Sequence, residues 1–413
     1  MAGWIQRQIE ARLRRLAATR PVVVLTGARQ TGKTALCRHL FPDHHYVSLD
    51  LPSEAASAEQ DPAGFLARHP LPLLIDEVQY APGLFRHLKV VVDSQRDRFG
   101  QIVLTGSQPF ALMQSVSESL AGRAAIVSLA GLSLAEILSV DARASIPAIL
   151  LRGGFPELWR SPEIDAGDFH RSYVATYLER DLRNLQQVGN LQQFERFLRA
   201  SALRSGQLLN RAELARDVGI APSTAGLWLS VLERSGLVFL LEPWFGNAGK
   251  RLSRSPKLYW ADTGLLCWLM GISTQDELAR SPLLGAIWET FVVADVRCSL
   301  QIFATAGSLH FWRDRSKEVD LVLERGGRFW LGDAKWSEFP SASDARRLHQ
   351  VAGELPSGSV EQQSLICRAP NPYPIGAGAS ALPLHALAGQ WGLSCKEELG
   401  EHPHNPASND SPR

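Results

Sequence analysis

The segment Gly27-Ala28-Arg29-Gln30-Thr31-Gly32-Lys33-Thr34 constrains this chain more than any other. It fits the spacing G-x-x-x-x-G-K-[ST], in which a glycine-rich loop wraps a polyphosphate with backbone N–H groups. Such a loop works between a strand and a helix, because the helix N-terminus adds oriented N–H groups and a dipole that favours anions. Both neighbours are legible here. Pro21–Thr26 (PVVVLT) is an apolar run of buried-strand length, and Ala35–Leu40 reads as a helix start. On this reading residues 27–35, through Ala35, form the phosphate-binding set. Lys33 reaches the β- and γ-phosphates, and the Thr34 hydroxyl holds Mg²⁺.

Composition strengthens the reading. Of 43 basic residues only seven are lysine, so arginine is the default cation. A lysine at the one loop position that wants a compact point charge is therefore informative. The 413 residues suggest two or three domains, and an apolar fraction of 45% is ordinary for globular chains. A net charge of +1 excludes a global basic field, so any nucleic-acid contact must come from local patches. The five cysteines (Cys37, Cys267, Cys298, Cys367, Cys395) form no C-x-x-C pair, which suits a reducing cytosol. The amphipathic N-terminus lacks the apolar core of a secretory signal, and no apolar run approaches the ~20 residues of a membrane helix. A cytoplasmic protein without membrane contact is expected. The polar tail 398–413 is expected to be disordered.

Further parts of a nucleotide-hydrolysing core follow in order. Tyr46–Leu49 reads as a short strand. Leu71–Ile75 reads as a buried strand ending in Asp76-Glu77. Consecutive carboxylates at a strand tip place one acid on the metal and the other toward the γ-phosphate, where it polarises water. Gln101–Thr105 is another strand, whose tip residues Ser107 and Gln108 are candidates for sensing phosphate. A helix is expected over 109–120 and a fifth strand over Ala124–Leu129. Arg123, just before that strand, has two readings of equal weight: an arginine finger reaching a neighbouring subunit, which requires a homo-oligomer, or a surface salt bridge.

These motifs resemble a family of prokaryotic ATPases that join an N-terminal AAA-type domain to a C-terminal domain of uncharacterised role. The matching residues are GARQTGKT at Gly27–Thr34, LLIDEVQ at Leu73–Gln79, LTGSQ at Leu104–Gln108 and SLAGR at Ser119–Arg123. Others are GGFPE at Gly153–Glu157, YLERDL at Tyr177–Leu182 and SPKLYWADTGL at Ser255–Leu265. The likeness covers about residues 1–395. Ala28 departs from it, since the family usually has proline there, but no side-chain chemistry is required at that position. The resemblance implies ATP binding and hydrolysis and supplies no cellular substrate.

Beyond the ATPase core, residues 141–206 look mostly helical, with a Gly153-Gly154 turn and helical spacing over Phe169–Leu185 and Leu191–Leu203. The cluster Glu179, Arg180, Asp181, Arg183 reads as a solvated helix face, with a nucleotide-sensing arginine as the sharper alternative. Gln207–Glu242 reads as a winged helix. Asn210 caps a helix to Val218 that Gly219 ends, Pro222-Ser223 opens a second helix to Arg234, and Leu237–Leu241 is a strand. That second helix brings only Arg234, at its far end, so it lacks the base-reading side chains of a DNA helix. The run Lys250, Arg251, Arg254, Lys257 either contacts phosphate or forms a solvated basic loop.

The last part carries a second constellation. Gly285–Val296 reads as a helix bearing Glu289. Strands follow at Phe311-Trp312, Glu318–Leu323 and Phe329–Lys335, with a Gly326-Gly327 turn. An acid on a helix, an acid on one strand and D-x-K on the next resemble the PD-(D/E)XK nuclease core. Asp333 and Lys335 lie two apart on one strand and so share a face. Asp320 and Asp333 would share Mg²⁺, with Lys335 on the nucleophile or the phosphorane. The alternative is a decayed nuclease fold, without cleavage, in which Asp333 and Lys335 make a salt bridge.

The expected architecture is α/β. It is an AAA-type P-loop NTPase with a parallel sheet (1–140), a helical lid (141–206), a winged helix (207–250), a restriction-endonuclease-like domain (251–397) and a tail (398–413). Three functions fit: an ATPase switch controlling the C-terminal modules, an ATP-controlled DNA nuclease, or a slowly hydrolysing adaptor that binds protein.

Overall fold

The computed structural model describes residues 3–107, 116, 118–183, 191–246, 255–314, 317–376 and 378–393, with backbone alone over 177–183. Most of the helix expected over 109–120, Gln108, the cations Lys250, Arg251 and Arg254, Cys395 and the tail lie outside these residues. So do the side chains of Glu179, Arg180, Asp181 and Arg183.

Five strands form one parallel sheet: β1 (Val22–Thr26), β2 (His45–Ser48), β3 (Leu73–Asp76), β4 (Ile102–Gly106) and β5 (Ala124–Ser128). Their order is β2-β3-β4-β1-β5. β1 pairs from Val22↔Ile102 to Thr26↔Gly106 on one edge and from Val22↔Ala124 to Thr26↔Ser128 on the other. A strand enclosed on both edges and both faces must be apolar throughout, and all five residues of β1 are buried. Val22 and Val24 feed a core with Phe85 and Leu88, while Val23 and Leu25 feed another with Leu13 and Leu36. The parallel arrangement brings the carboxyl ends of β1, β3 and β4 to one rim, where open α/β sheets bind ligands.

The second sheet is antiparallel, with β6 (Gln207–Leu208), β7 (Val238–Leu241) and β8 (Lys257–Trp260) in the order β6-β8-β7. Helices Leu191–Ala202, Arg211–Val218 and Pro222–Arg234 surround it. The expected punctuation holds. The Asn210 side chain accepts from the Glu213 N–H at 3.1 Å, and Gly219 adopts φ +78°. β8 belongs to this sheet although it lies beyond residue 250, where the sequence suggested a boundary.

A third sheet holds six strands: β9 (Ser308–Arg313), β10 (Glu318–Arg325), β11 (Arg328–Ala334), β12 (Val360–Cys367), β13 (Tyr373–Gly376) and β14 (Ala379–Pro383). Its order is β13-β14-β12-β11-β10-β9, with β9, β10 and β11 antiparallel and β12 parallel to both β11 and β14. The helix Leu284–Phe303, longer than expected, crosses between regions. Its Trp288 and Val292 join a core that runs from Leu132 to Leu393, while Cys298 and Ile302 pack beneath the first sheet. One apolar core therefore runs through all three segments that the sequence separates after residue 140. Cys37, Cys267, Cys298 and Cys367 are buried free thiols. No helix among the described residues is long and apolar enough to cross a membrane.

Asp262 ties two of the sequence motifs together. One carboxylate oxygen accepts from the Leu265 N–H at 2.8 Å, capping the helix Thr263–Leu269, and the other accepts from the Gly154 N–H at 2.6 Å. The approach requires glycine at 153, where φ is +78° and a Cβ would stand 2.4 Å from an Asp262 oxygen. Asp262→Ala removes a cap and orphans a backbone donor, so we expect a loss of roughly 2–4 kcal/mol in urea denaturation. Asp262→Asn, which keeps one acceptor, should lose less.

Candidate functional site

β1 ends in the loop, and its geometry explains the glycines. Gly27 has φ +146°, and a Cβ there would lie 2.2 Å from the Leu129 carbonyl oxygen. Gly32 has φ +88°, and Gln30 takes the left-handed region without being glycine (φ +61°), a local strain typical of functional loops. The helix begins at Lys33 itself. The Lys33 ammonium donates to the carbonyls of Gly27 (3.1 Å) and Ala28 (2.8 Å), which centres it over the loop. Burial lowers its pKa, opposed by Glu77 and Asp76.

β3 delivers the two acids. The Thr34 hydroxyl donates to both Asp76 oxygens at 2.9 and 3.0 Å, and the Tyr46 hydroxyl donates at 3.2 Å. Thr105, on the neighbouring β4, also donates to Asp76. Glu77 is buried and sits at φ +56°, in the left-handed region. Its carboxylate accepts from the Ser107 backbone (3.1 Å), the Ser107 hydroxyl (2.8 Å) and the Gln79 amide. Burial pushes this carboxyl up, but the hydrogen bonds from Gln79 and Ser107 and the charge of Lys33 outweigh it, leaving it below its usual value.

A cavity of about 500 Å³ opens over these groups, lined by Arg29, Lys33, Thr34, Glu77, Tyr173 and Thr176. A second, of about 230 Å³, lies between Trp4–Arg7 and Pro156–Arg160 and touches Gly32 and Ala35. Arg7 braces the loop from that side. Its guanidinium donates to the carbonyls of Thr31 (3.0 Å), Ala130 (2.9 Å) and Gly131 (3.0 Å), and its Nε lies 3.1 Å from Glu136. Arg123 stands apart from both cavities, in a two-pronged ion pair with Asp93 at 2.7 and 3.0 Å. A finger role in a neighbour would require it to leave that partner.

The C-terminal cluster differs from the expected set. Glu289, Asp320 and Asp333 do gather. Asp333 hydrogen-bonds Asp320, and burial beside that acid pushes its pKa well above the usual value. Lys335 does not join them, because it lies just past the end of β11 and pairs with Asp344 at 3.3 Å, half exposed. The cation in the cluster is Lys257 of β8, 1% exposed, with its ammonium 2.7 Å from Glu318, 2.8 Å from Glu289 and 3.2 Å from Asp320. Burial alone would lower the Lys257 pKa, but these three carboxylates raise it. The Tyr259 hydroxyl donates to Glu289 at 2.6 Å, and the Ala334 N–H to Asp320 at 3.0 Å.

Comparison with known proteins agrees with the first site. Residues 19–138 match a family described as an AAA domain, and residues 143–276 and 284–387 match two domains of unknown function (DUF8612 and DUF4143). Two mycobacterial proteins, Uncharacterized protein Rv2008c of Mycobacterium tuberculosis and Uncharacterized protein Mb2031c of Mycobacterium bovis, are each 37% identical over 354 residues. Each match spans 85% of this chain and 78% of the relative. The chain belongs to their family. Its N-terminal part is an AAA-type P-loop domain, and in this family member the parallel sheet carries that domain's loop and acidic strand tip. The Walker-type ATPase paby2304 of Pyrococcus abyssi is similar over 64% of this chain and 95% of its own, at 17% identity and a TM-score of 0.39. At that TM-score the likeness adds nothing further.

Sequence reasoning missed Thr105, Gln79, Tyr46, Arg7 and Lys257. Thr105 and Gln79 lie within the quoted motifs and needed only the strand order to be placed. Lys257 closes the basic run in the sequence, although its position in the apolar run KLYW points indoors. One consequence of the Glu77 environment is measurable. Ser107→Ala removes a donor that favours the carboxylate form, so the Glu77 pKa should rise. The acid limb of any turnover profile should then move to higher pH than in the wild type, while the alkaline limb stays.

Proposed function

We propose that this protein is a Mg²⁺-dependent ATPase whose nucleotide state is felt by its C-terminal half. The observation that carries the reading is that Lys33, Thr34 and Glu77 line one cavity beside the loop, with Asp76 hydrogen-bonded to Thr34 behind it. The loop amides and Lys33 would hold the phosphates of ATP, and the apolar cavity beside Ile5 and Pro156 suits the base. Thr34 and Asp76 fit Mg²⁺: they are adjacent hard oxygen donors, and Thr105 and Tyr46 fix the carboxylate. Bound there, the ion supplies neutralisation of the β/γ-phosphate charge. Glu77, ionised and held by Ser107 and Gln79, accepts the proton of a water that attacks the γ-phosphorus, releasing ADP and phosphate. Ser107 orients Glu77 by two hydrogen bonds rather than touching phosphate.

Coupling to the C-terminal half is supported by direct packing. Gly236, in the turn after helix Pro222–Arg234, lies beside Ala28: a Cβ there would make an ordinary van der Waals contact, 3.5 Å from the Ala28 nitrogen. A loop that tightens on phosphate would press on that turn. The order of helices and strands around β6-β8-β7 favours the winged-helix reading, but Trp228 and Leu229 are buried against protein. A protein-packing role suits this helix better than groove reading, which needs exposed base-contacting side chains.

Lys33→Ala should abolish nucleotide binding or nearly so, measured with a fluorescent ATP analogue. Glu77→Gln should bind ATP yet hydrolyse it at least about a hundredfold more slowly, because the water loses its base. Undiminished phosphate release from Glu77→Gln would overturn the assignment.

A further inference from the structure

The helix Leu284–Phe303, the antiparallel strands β9, β10 and β11, the helix Arg346–Ala352 and the parallel strand β12 resemble a nuclease core, and such a core implies a divalent cation. The residues present do not fit one. An ammonium has three donors, and Lys257 has three carboxylates within 3.2 Å. Of the three acids a metal would need, Asp320 and Glu289 are already engaged and Asp333 hydrogen-bonds Asp320. One Asp320 oxygen faces Lys257, and the other accepts from the Ala334 N–H. The Glu289 oxygen nearest Lys257 also accepts from Tyr259. A divalent ion placed here would sit beside a buried positive charge and compete with it for the same oxygens. The lysine that the D-x-K spacing offers for phosphate chemistry is turned to Asp344 instead.

We propose that Lys257 is the resident cation of this cluster, and that the cluster joins three elements rather than holding Mg²⁺ for phosphodiester cleavage. Lys257 comes from the three-stranded sheet, Glu289 from the long helix, and Glu318 and Asp320 from β10 of the six-stranded sheet. The ammonium is thus a pin between two sheets and the helix that runs on toward the ATPase domain. Once such a cluster is buried, loss of a member is costly: without Lys257 the carboxylates are left charged and unpaired, and without the Asp320 carboxylate the ammonium and the Ala334 N–H each lose an acceptor.

The two alternatives predict opposite responses. In an open metal site the acids repel one another without metal, so neutralising one raises the melting temperature. In a lysine-pinned junction, neutralising one lowers it. The test uses the full chain, free of nucleotide, as wild type and Asp320→Asn. Bound Mn²⁺ is counted by electron paramagnetic resonance, unfolding is followed by calorimetry, and nicking of supercoiled plasmid is assayed with Mn²⁺. We expect equal Mn²⁺ uptake by both proteins, no nicking, and melting of Asp320→Asn lower by several degrees. Mn²⁺ uptake or nicking that disappears in Asp320→Asn would overturn the proposal, as would melting that is unchanged or higher. If Asp320→Asn does not fold, Asp76→Asn, which lacks the carboxylate assigned to Mg²⁺ beside the loop, decides: nicking, or a melting temperature raised by millimolar Mn²⁺, overturns the proposal, and the absence of both upholds it. ATP turnover, measured alongside, tests the N-terminal reading separately.

Discussion

The placement of β1 between β4 and β5 is the constraint on which the nucleotide site depends. Parallel strands cannot be joined by tight turns, so each connection must leave the sheet and return through a helix. β1 therefore ends at a rim and hands the chain directly to a helix N-terminus. Pairing on both edges fixes where that end lies, and the Leu129 carbonyl, one residue past β5, closes so tightly on Gly27 that no side chain fits. β4 is part of the same constraint. By lying between the loop strand and the acidic strand, it brings the Thr105 hydroxyl to Asp76 and Ser107 to Glu77. The spacing of Lys33, Thr34, Asp76 and Glu77 is thus a property of strand register more than of the loop itself.

The site is also not confined to the ATPase domain. Arg7 reaches across from the N-terminal segment to the loop carbonyl of Thr31, and the turn at Gly236 packs on Ala28. The long helix Leu284–Phe303 spans about 30 Å at 1.5 Å per residue. It begins near the carboxylate cluster and ends beneath the parallel sheet, where Arg12 donates to the Gln301 carbonyl. Asp295, on the same helix, accepts from the Leu134 N–H at 2.8 Å. A rigid element held at both ends resists independent movement of the parts it joins. On the proposed reading, a change in the loop would be transmitted by displacement of these packed elements.

Legibility from sequence followed the locality of the interactions. The loop, the strand before it and the acidic strand tip are contiguous motifs whose residue types are dictated by backbone geometry, and they were readable. The caps at Asn210 and Gly219 were readable for the same reason. Partners from distant segments were not. Tyr46, Thr105 and Arg7 converge on the site through strand order and a return of the N-terminus, which no local pattern encodes. The boundary near residue 250 misled because β8 returns to pair with β6 and β7 after a long excursion. Arg123 was readable as an exposed cation but not as a partner of Asp93, since 30 residues separate them.

The lysines give the sharpest lesson. Their scarcity makes Lys33 informative and would apply equally to Lys335, yet the structure sends Lys335 outward and Lys257 inward. Scarcity says that a lysine is worth asking about; it does not say which carboxylates it meets. Lys33 was decided by its place at a helix start inside a loop that forces the side chain across the phosphate path. Lys335 had no such restraint, lying one residue beyond the strand that was to aim it. Lys257 had two: the apolar run Leu258–Trp260 that follows it in sequence, and a strand partner on each edge. A side chain's role is fixed where the backbone that carries it is fixed. The same rule explains why the ATPase assignment rests on β1, β3 and β4, and why the acidic cluster is read from β8.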